Sequence, residues 1–441
     1  MPSRERFAWM CCLSAVIILS VTLSRATPGG GREDDYTFVR TLVDIQRLIA
    51  ANYADDIDTA QIRQAAITGM LEELDPFTVF VPPSRQEDFD RMLEGTFKGI
   101  GVQLNQLENG QIEVVSPVDG GPAFRAGVMA GDVILKVNGE SIEGLRLSEA
   151  VKKLAGPLGM EIHLQLRRAT GEIVELKMTR EEVVVPTVRG FDRNADNSWN
   201  WFLSEDPKIA YLRITQFTPE TSDAVQASIH QMLQQGMSGL ILDLRFNPGG
   251  RLDQAIKVVD LFLDDGVIVS TRGRSRQEQT ARASAPGTLP RFPLIVLANE
   301  HSASASEVVA GALKDHRRAL VIGQRTYGKG SVQEVVPLDQ NAGELKMTVA
   351  YYYLPSGRLV HRKKDATDWG VEPNIEVKLT PEEQLQLQRD RYEAELFHRP
   401  TSGPATQPQR STPLDPQLRR AVDTMTALLV FQSGGPTTAP G

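Results

Sequence analysis

Three short segments contain residue types that can hydrolyse an amide or ester bond, and a run of serines is the first. Ser304 lies at the centre of this run, after a predicted apolar strand and at the start of a predicted helix. A serine at such a turn is well placed to act as a nucleophile, because the N-terminus of a helix stabilises developing negative charge. Glu307 follows three residues later, and this spacing is also typical of a helix capping box. By itself, this segment favours the capping role.

The second segment holds a lysine between two glycines. Lys329 in the sequence Tyr-Gly-Lys-Gly would ordinarily be a solvated loop residue. To act as a general base its amine must be neutral, which requires its pKa to fall from about 10.4 to about 7–8. Burial has this effect on a lysine, at a cost of roughly 4 kcal/mol. Gln333 lies four residues further on, and its side-chain amide can hydrogen-bond the amine.

The third segment, at 242–250, reads Leu-Asp-Leu-Arg-Phe-Asn-Pro-Gly-Gly and also joins a predicted strand to a predicted helix. Gly249 and Gly250 can turn backbone N–H groups towards a developing oxyanion, and each such donor is worth about 3–4 kcal/mol. We favour Gly249 as the donor. An ordinary Asn-Pro-Gly-Gly turn explains the same residues, so none of the three segments is decisive alone.

Hydrophobic periodicity predicts the elements that position these segments. Apolar residues recur with helical spacing over much of 32–94. Short strands with one helix, Leu147–Leu154, follow as far as about residue 180. From about Lys208, strands alternate with helices. This alternation predicts a layered α/β domain.

A glycine-rich stretch at 97–102, Phe-Lys-Gly-Ile-Gly-Val, opens the region of short strands. Gly99 and Gly101 let successive backbone N–H groups form an anion nest, which can capture a C-terminal carboxylate while the next strand pairs with the peptide. With the motifs that follow, this stretch resembles a PDZ domain of the circularly permuted kind found in bacterial proteases. Those motifs are Ser116-Pro117, Gly121-Pro122-Ala123, Arg125–Val128 and Ala130–Gly139.

The PDZ resemblance implies a pocket for the terminal residue of a bound peptide. Its floor would be formed by Ile100 and Val102, with Val151 and Leu154 contributed by the helix. An apolar lining implies a preference for small or apolar terminal residues. The alternative is that these four side chains only fill the core of the domain, and Leu154 fits both interpretations equally well.

The first thirty residues predict export. Arg4 and Arg6 precede an apolar run at 7–23, and Ser24-Arg25-Ala26 offers a cleavage site with small residues, as in secretory signals. The run is close to the length of a membrane span, so an uncleaved membrane anchor remains as an alternative interpretation. We expect an exported protein that lies in the periplasm or cell envelope. An uncleaved anchor would attach this protein to the inner membrane.

Composition argues against several other classes of protein. Cys11 and Cys12 both lie in the predicted export segment, so the mature chain would have no disulfide, cysteine nucleophile or cysteine metal site. The six histidines lack metal-ligand spacing, and no metal or organic cofactor is expected. A net charge of −8 without a basic stripe argues against binding of nucleic acid.

Together, the three segments resemble the C-terminal processing peptidases, a family of serine–lysine proteases. The likeness covers residues 35–380 and implies a ClpP/crotonase-like α/β protease core with an inserted PDZ domain and an N-terminal helical region. It further implies that the PDZ domain binds the C-terminus of the substrate and gates the site. The family roles fall on Ser304 as nucleophile, Lys329 as base, Gln333 as support of the lysine, and the amides of Ala305 and Gly249 as oxyanion donors.

This interpretation divides the chain into five parts and assigns its partners. Protein or peptide C-termini are the expected substrates. Three further partners remain as alternatives. These are an adaptor protein, a membrane contacted through residues 7–23, and a second copy of the chain in a homo-oligomer formed through the N- and C-terminal helices. The predicted parts are a signal peptide or membrane anchor at 1–30, an N-terminal helical region at 32–94, a PDZ domain at 95–182, a serine protease core at 183–380, and C-terminal helices with a Pro/Thr-rich linker and a disordered tail at 381–441.

Two features depart from the family pattern, and two other functions remain as alternatives. Residues 361–369 lengthen the stretch before the signature Gly370–Ile375, which affects the local surface rather than the dyad.

His301, three residues before Ser304, suggests a serine–histidine hydrolase acting on esters as one alternative. Because His301 lies on a predicted turn, we do not expect it to reach the Ser304 hydroxyl. The other alternative is a binding or scaffold protein with an inactive core, and the intact catalytic set argues against it.

Overall fold

The computed structural model describes residues 30–86, 89, 94–168, 170–339, 342–396 and 414–433. The predicted export segment with both cysteines, most of the predicted linker and the C-terminal tail lie outside these residues. The chain divides between Phe80 and Val81 into two compact units. Within the described ranges, no helix is long and apolar enough to cross a membrane.

The described residues of the first unit form two helices, α1 (Gly30–Asn52) and α2 (Thr59–Glu72), as the apolar spacing predicts. Asp58 begins α2, because its carboxylate accepts hydrogen bonds from the main-chain N–H groups of Ala60 (2.8 Å) and Gln61 (3.3 Å). A short strand, β1 (Val79–Val81), lies at the boundary between the units, and a 3₁₀ turn follows it in the chain.

A small β domain opens the second unit. Its elements are β2 (Thr96–Gly99), β3 (Val102–Gln106), β4 (Ile112–Pro117), α3 (Pro122–Arg125), β5 (Val133–Val137), β6 (Glu140–Ser141), α4 (Leu147–Leu154), β7 (Glu161–Arg167), β8 (Ile173–Thr179) and β9 (Glu181–Val184). Strands β3, β4, β5, β7 and β8 form one sheet, with β6 beside β5. Strands β2 and β9 pair antiparallel, so the chain enters and leaves the domain along one two-stranded ribbon.

The rest of the second unit is a layered α/β domain. Its elements are β10 (Val188–Arg189), β11 (Asp192–Arg193), β12 (Trp199–Asn200), β13 (Phe202–Glu205), β14 (Lys208–Ile214), α5 (Thr221–Gln234), β15 (Gly239–Asp243), α6 (Leu252–Asp260), β16 (Val267–Gly273), β17 (Arg276–Arg282), β18 (Leu294–Ala298), α7 (Ala305–Asp315), β19 (Leu320–Gly323), β20 (Ser331–Pro337), β21 (Glu344–Tyr353), β22 (Ile375–Glu376), α8 (Pro381–Glu395) and α9 (Pro416–Ser433).

A mainly parallel sheet forms the centre of this domain. Its strand order is β10-β14-β15-β18-β19-β22, and β14, β15, β18, β19 and β22 run parallel. Successive residues of each strand point to opposite faces, so Leu212 packs towards α5–α7 while Tyr211 packs towards α9. Gly239 permits the close approach of α9, because a Cβ there would lie 2.5 Å from the sulfur of Met425. The predicted α/β core is therefore confirmed.

A second, antiparallel sheet lies beside the parallel one and was not predicted from the sequence. β21 lies between β20 and β16, and β17 follows β16. Long-range pairing builds it: Ser270 lies opposite Tyr353. This sheet carries Gln333 and Tyr352 towards the candidate site.

Buried ion pairs join the C-terminal helices to the parallel sheet. Asp243, at the end of β15, accepts hydrogen bonds from Arg245 (2.7 Å) and from Arg391 of α8 (2.5 Å). Arg245 is fully buried and also pairs with Asp415, just before α9 (2.7 Å). Burial opposes ionisation, but the two guanidinium groups hold the pKa of Asp243 well below its usual range. Two polar residues of the third predicted segment therefore have a structural role.

Candidate active site

All three predicted segments leave the carboxyl ends of neighbouring parallel strands. β15 ends before the Asn-Pro-Gly-Gly turn, β18 ends before the serine run, and β19 ends before the Lys329 loop. Because β15 pairs with β18 and β18 pairs with β19, the three loops emerge side by side. Open α/β sheets place their functional sites at this edge. The fold thus brings together the segments that the sequence singled out.

Ser304 occupies a strained turn at the start of α7. Its backbone angles are φ 55° and ψ −115°, a region that residues other than glycine seldom adopt. Strain of about 1–3 kcal/mol is usual in such a conformation, and it concentrates at functional sites. A sharp strand-to-helix turn is typical of hydrolase nucleophiles, since it presents the hydroxyl beside the N-terminal amides of the helix.

Glu307 connects the serine turn to the lysine loop. Its Oε2 accepts hydrogen bonds from the main-chain N–H of Ser304 (2.8 Å) and of Lys329 (2.8 Å). Its Oε1 accepts from the N–H of Gly328 (2.7 Å) and the hydroxyl of Thr326 (2.5 Å). The side chain is fully buried, and burial raises its pKa to about 7, although the four donors act in the opposite direction. Glu307 therefore caps the helix, as predicted, and also positions the lysine loop.

The environment of Lys329 favours a neutral amine. Burial lowers the pKa of Lys329, and the nearby ammonium group of Lys346 on β21 lowers it further. The negative charge of Glu307 acts in the opposite direction. These are the physical conditions that the sequence analysis required of a lysine acting as a general base.

The glycine turn lies directly against the serine turn. A Cβ placed on Gly249 would lie 2.8 Å from Ser304 Cβ and 3.0 Å from the amide nitrogen of Ala305. Asn247 holds the two turns together, because its carbonyl accepts from the Ala303 amide (3.0 Å). The absence of a side chain at Gly249 is what permits this approach.

The backbone amides around this contact differ in whether their N–H groups are already hydrogen-bonded. Gly249 already donates its N–H to Asn247 Oδ1 (2.8 Å). Ala305 is the first residue of α7, and neither its N–H nor that of Gly250 has an acceptor among the described residues. This geometry favours Ala305 and Gly250 as oxyanion donors, whereas the sequence analysis favoured Gly249.

Gln333 lies on β20, shortly after the lysine loop. Its Nε2 donates to the hydroxyl of Ser331 (2.7 Å) and to that of Thr348 on β21 (3.4 Å). These contacts fix the side-chain amide at the beginning of the β20–β21 pair. The predicted support of Lys329 by the Gln333 side chain stays a prediction.

Residues 361–369, the stretch that departs from the family pattern, pack on the lysine loop. The N–H of Arg362 donates to the carbonyl of Gly328 (2.8 Å), and a Cβ on Gly328 would lie 2.6 Å from the indole of Trp369. The guanidinium groups of Arg325 and Arg362 lie 4.6 and 4.5 Å from the centre of the Trp369 ring. The extra residues therefore stabilise the loop that carries Lys329.

His301 is exposed, and its ring stacks on Phe246 at 5.2 Å with an interplanar angle of 19°. Its main-chain N–H donates to Asn299 Oδ1 (3.2 Å). These contacts place His301 at the surface of the loop region, where stacking accounts for its position.

The predicted peptide-binding residues divide into two pairs in the small β domain. Ile100 and Leu154 belong to its buried core, with exposures of 2% and 4%. Val102 is half-buried at the start of β3, and Val151 is exposed on α4. Gly101, with φ 77°, supplies the turn before β3. Of these four apolar side chains, Val102 and Val151 are the more exposed and the better placed to contact a bound peptide in this conformation.

Three residues near the site were assigned no chemical role from the sequence. Glu307 was recognised only as a helix cap, and Lys346 and Tyr352 were not singled out. The signal for Glu307 was its spacing from Ser304, whereas the other two approach the site only through the unpredicted antiparallel sheet. No cluster of histidine, cysteine, aspartate and glutamate side chains suited to a metal ion occurs in the part of the chain that the structure describes.

Comparison with known proteins defines the class of this fold and site. Residues 208–377 match the model of peptidase family S41, and residues 113–168 match that of the PDZ domain. The chain is 38% identical to the carboxy-terminal-processing protease of Bartonella bacilliformis over 372 residues, which cover 83% of this chain and 80% of that protein. It is 32% identical to the carboxy-terminal processing protease CtpA of Bacillus subtilis, over 75% of this chain and 67% of that protein.

A solved structure, the photosystem II D1 C-terminal processing protease, is 28% identical, with a TM-score of 0.42 over 76% of this chain and 92% of that one. The family models and the two curated relatives show that the protein is a protease of peptidase family S41 with a PDZ domain. Within that class, it belongs to the carboxy-terminal processing proteases.

Proposed function

We propose that this protein is an exported serine endopeptidase that cleaves protein substrates at or near their C-terminal tails, with Ser304 as nucleophile and Lys329 as general base. The observation that carries the proposal is the meeting of the Ser304 and Lys329 amides at one carboxylate oxygen of Glu307. This shared acceptor holds the backbone of the Ser304 turn close to that of the Lys329 loop, and the lowered pKa of Lys329 supports its role as a base.

The reaction is an acyl transfer in two stages. Neutral Lys329 takes the proton of the Ser304 hydroxyl as Oγ attacks the peptide carbonyl, and the oxyanion accepts hydrogen bonds from the amides of Ala305 and Gly250. The lysine ammonium then protonates the leaving amine, which departs with the C-terminal part of the substrate. Water attacks the acyl-enzyme with Lys329 again as base, and the C–Oγ bond breaks. Gln333 supports the lysine from β20.

The PDZ domain supplies selectivity in this proposal. Gly99 and Gly101 provide the turn that binds the terminal carboxylate, and the substrate tail pairs with β3. Val102 and Val151 contact the terminal apolar side chain, while Ile100 and Leu154 support them from the core. Export places the enzyme in the cell envelope with proteins whose tails are accessible. The apolar run at 7–23 directs this export.

The proposed function is tested by digestion of an unstructured protein with an apolar C-terminus, using residues 32–441 as enzyme. The wild type is expected to cleave it, and Ser304→Ala is expected to be inactive while its thermal unfolding is unchanged. Ser356→Ala, at an exposed turn, is the matched control. Equal cleavage by wild type and Ser304→Ala would refute the proposal. A folded wild type that binds tails without cutting them would favour the scaffold alternative.

Replacement of Val151 by aspartate is expected to impair the cleavage of tail-bearing substrates selectively. Val151 is 47% exposed on α4, so the charge alters the peptide-binding face without entering the core. We expect kcat/KM for a protein with an apolar tail to fall about tenfold or more, since 1.4 kcal/mol of lost contact corresponds to a factor of ten. Cleavage of a short peptide ester should be unchanged. Lys152→Ala on the same helix is the control, and an equal loss on both substrates would contradict selectivity by the PDZ domain.

A further inference from the structure

Thr326, in the lysine loop, joins three separate parts of the site. Its hydroxyl donates to Glu307 Oε1 (2.5 Å) and accepts from the main-chain N–H of Val371 (2.6 Å). Its own main-chain N–H donates to the carbonyl of Val371 (3.1 Å). The residue is 2% exposed. One buried threonine therefore links helix α7, the lysine loop and the segment 370–375.

The Val371 amide determines the direction of the bond between Thr326 and Glu307. An N–H group can only donate, so the Thr326 oxygen accepts from Val371 and its own proton is directed to the carboxylate. A distance of 2.5 Å is typical of a hydroxyl that donates to an ionised carboxylate. Glu307 also accepts the main-chain N–H groups of Ser304, Gly328 and Lys329. Four donors at one carboxylate favour its charged form.

The backbone around Thr326 keeps the hydroxyl in this contact. A Cβ placed on Gly370 would lie 2.8 Å from both the carbonyl and the hydroxyl oxygen of Thr326. The N–H of the next residue, Tyr327, donates to the carbonyl of Ser302 in the serine run (3.0 Å). The segment 370–375 and the serine run therefore hold Thr326 from two sides.

We propose that Thr326 is a positioning residue, whose hydroxyl holds the Glu307 carboxylate against the backbone of the Ser304 turn and of the Lys329 loop. This inference rests on the proposed roles of Ser304 and Lys329. Thr326 transfers no proton in the reaction and acts only through Glu307. It fixes the acceptor that the two catalytic loops share, and it favours the charged form of that acceptor.

The charge of Glu307 in turn affects the base. Burial raises the pKa of Glu307 to about 7, and the Thr326 hydroxyl is the strongest of the contacts that oppose this rise. Charged Glu307 raises the pKa of Lys329. Loss of the hydroxyl should therefore leave Glu307 protonated at neutral pH and lower the pKa of Lys329.

The other titratable groups near this junction have different partners or stay in one form. Lys346 of β21 acts on Lys329, whose pKa it lowers. Tyr352 of β21 is neutral at physiological pH, because burial raises its pKa to about 12. The guanidinium groups beside the lysine loop, those of Arg325 and Arg362, stack on Trp369.

The test is Thr326→Val, which keeps the shape of the side chain but removes the hydroxyl. The plateau of kcat/KM for a tail-bearing protein should fall about 10–100-fold, because small displacements of catalytic groups have effects of this size. The rising limb of kcat/KM should move about one pH unit lower, and Thr326→Ser should restore both. Thr187→Val is the matched control, since it removes a buried hydroxyl that bonds Thr221 instead. An unmoved limb, or a loss in Thr326→Ser equal to that in Thr326→Val, would overturn the proposal.

Glu307→Gln shows whether Thr326 acts through the carboxylate. In this variant the charge that Thr326 favours is already absent. Thr326→Val should therefore move the rising limb no further when it is combined with Glu307→Gln. A further shift of the limb in the double variant would contradict the proposed action through Glu307.

A second measurement needs no activity and does not depend on the folding of Thr326→Val. Thr326→Ala and Thr326→Ser differ only in the hydroxyl. The stability that Glu307 contributes is lost as the pH rises through about 7 in the wild type, and it should be lost at a higher pH in Thr326→Ala than in Thr326→Ser. Urea unfolding at several pH values measures this difference, and its absence would overturn the proposal. Failure of the proposed function is distinguishable, because it would appear as cleavage by Ser304→Ala equal to that by the wild type.

Discussion

Replacement of Lys329 by methionine is expected to reduce kcat/KM by about 10²–10⁴-fold, the usual contribution of a general base. Methionine keeps the length and apolar volume of the side chain but removes the amine. The main-chain bond from residue 329 to Glu307 needs no side chain, so the loop should keep its position. Steady-state cleavage of a tail-bearing protein measures the loss. Lys364→Met, in the exposed part of 361–369, is the control.

The pH dependence of the wild type provides a second sign of the same base. Only the neutral amine accepts a proton, so kcat/KM should rise with pH through the pKa of Lys329. Burial and Lys346 lower that pKa, and the rising limb should therefore lie below the usual lysine range. The limb should disappear in Lys329→Met. If Lys329→Met kept the wild-type kcat/KM and its rise with pH, another group would have to be the base.

Replacement of Glu307 by alanine is expected to remove activity and about 3–5 kcal/mol of stability. Four donors would lose their acceptor in a buried site: the amides of Ser304, Gly328 and Lys329 and the Thr326 hydroxyl. Each unsatisfied buried group costs about 1–3 kcal/mol, partly offset by relaxation and entry of water. Urea unfolding followed by circular dichroism measures the change.

Glu307→Gln separates the hydrogen bonds from the charge. Its carbonyl oxygen can accept the Ser304 and Lys329 amides, and its NH₂ can donate to the Thr326 oxygen, but the Gly328 amide and the Thr326 hydroxyl proton both lose their acceptor. We expect a loss of about 1–3 kcal/mol. Glu307 raises the pKa of Lys329, so its neutralisation should move the acid limb of kcat/KM to lower pH. A free energy of unfolding of Glu307→Ala equal to that of the wild type would contradict this structural role of Glu307.

Glu307 also predicts how stability depends on pH. Its pKa in the folded protein, about 7, lies above its ordinary value of 4.5. The folded state therefore binds the proton more tightly, and this contribution to stability is complete below about pH 4.5 and is lost as the pH rises through 7. The contribution should be absent from Glu307→Gln.

Much of the site could be predicted because its parts are local in sequence. The strands before the serine and lysine loops, Leu294–Ala298 and Leu320–Gly323, are short apolar runs that end in turns. Their parallel order follows from the alternation with helices. The capping relation of Glu307 to Ser304 is a spacing of three residues, visible in the chain itself.

The antiparallel sheet could not be predicted in the same way. β17 reads Arg-Gln-Glu-Gln-Thr-Ala-Arg and is almost wholly exposed, so it has no apolar alternation to identify it. β16 pairs with β21, which lies far away in the sequence, and no local pattern specifies such a partner. The electrostatic effect of Lys346 on Lys329 depends on that pairing. The positioning of the lysine loop by Glu307 could not be predicted either, because its contact with Gly328 joins two loops that are separate in the sequence.

The most direct test of the serine–lysine account is to identify the residue that a fluorophosphonate modifies. Wild type, Ser304→Ala and Lys329→Met would be treated at several pH values, and the adduct mapped by peptide mass spectrometry. The account predicts one adduct, on Ser304, formed at a rate that rises with pH and falls steeply in Lys329→Met. An adduct on another serine, or an unchanged rate without the lysine, would contradict it.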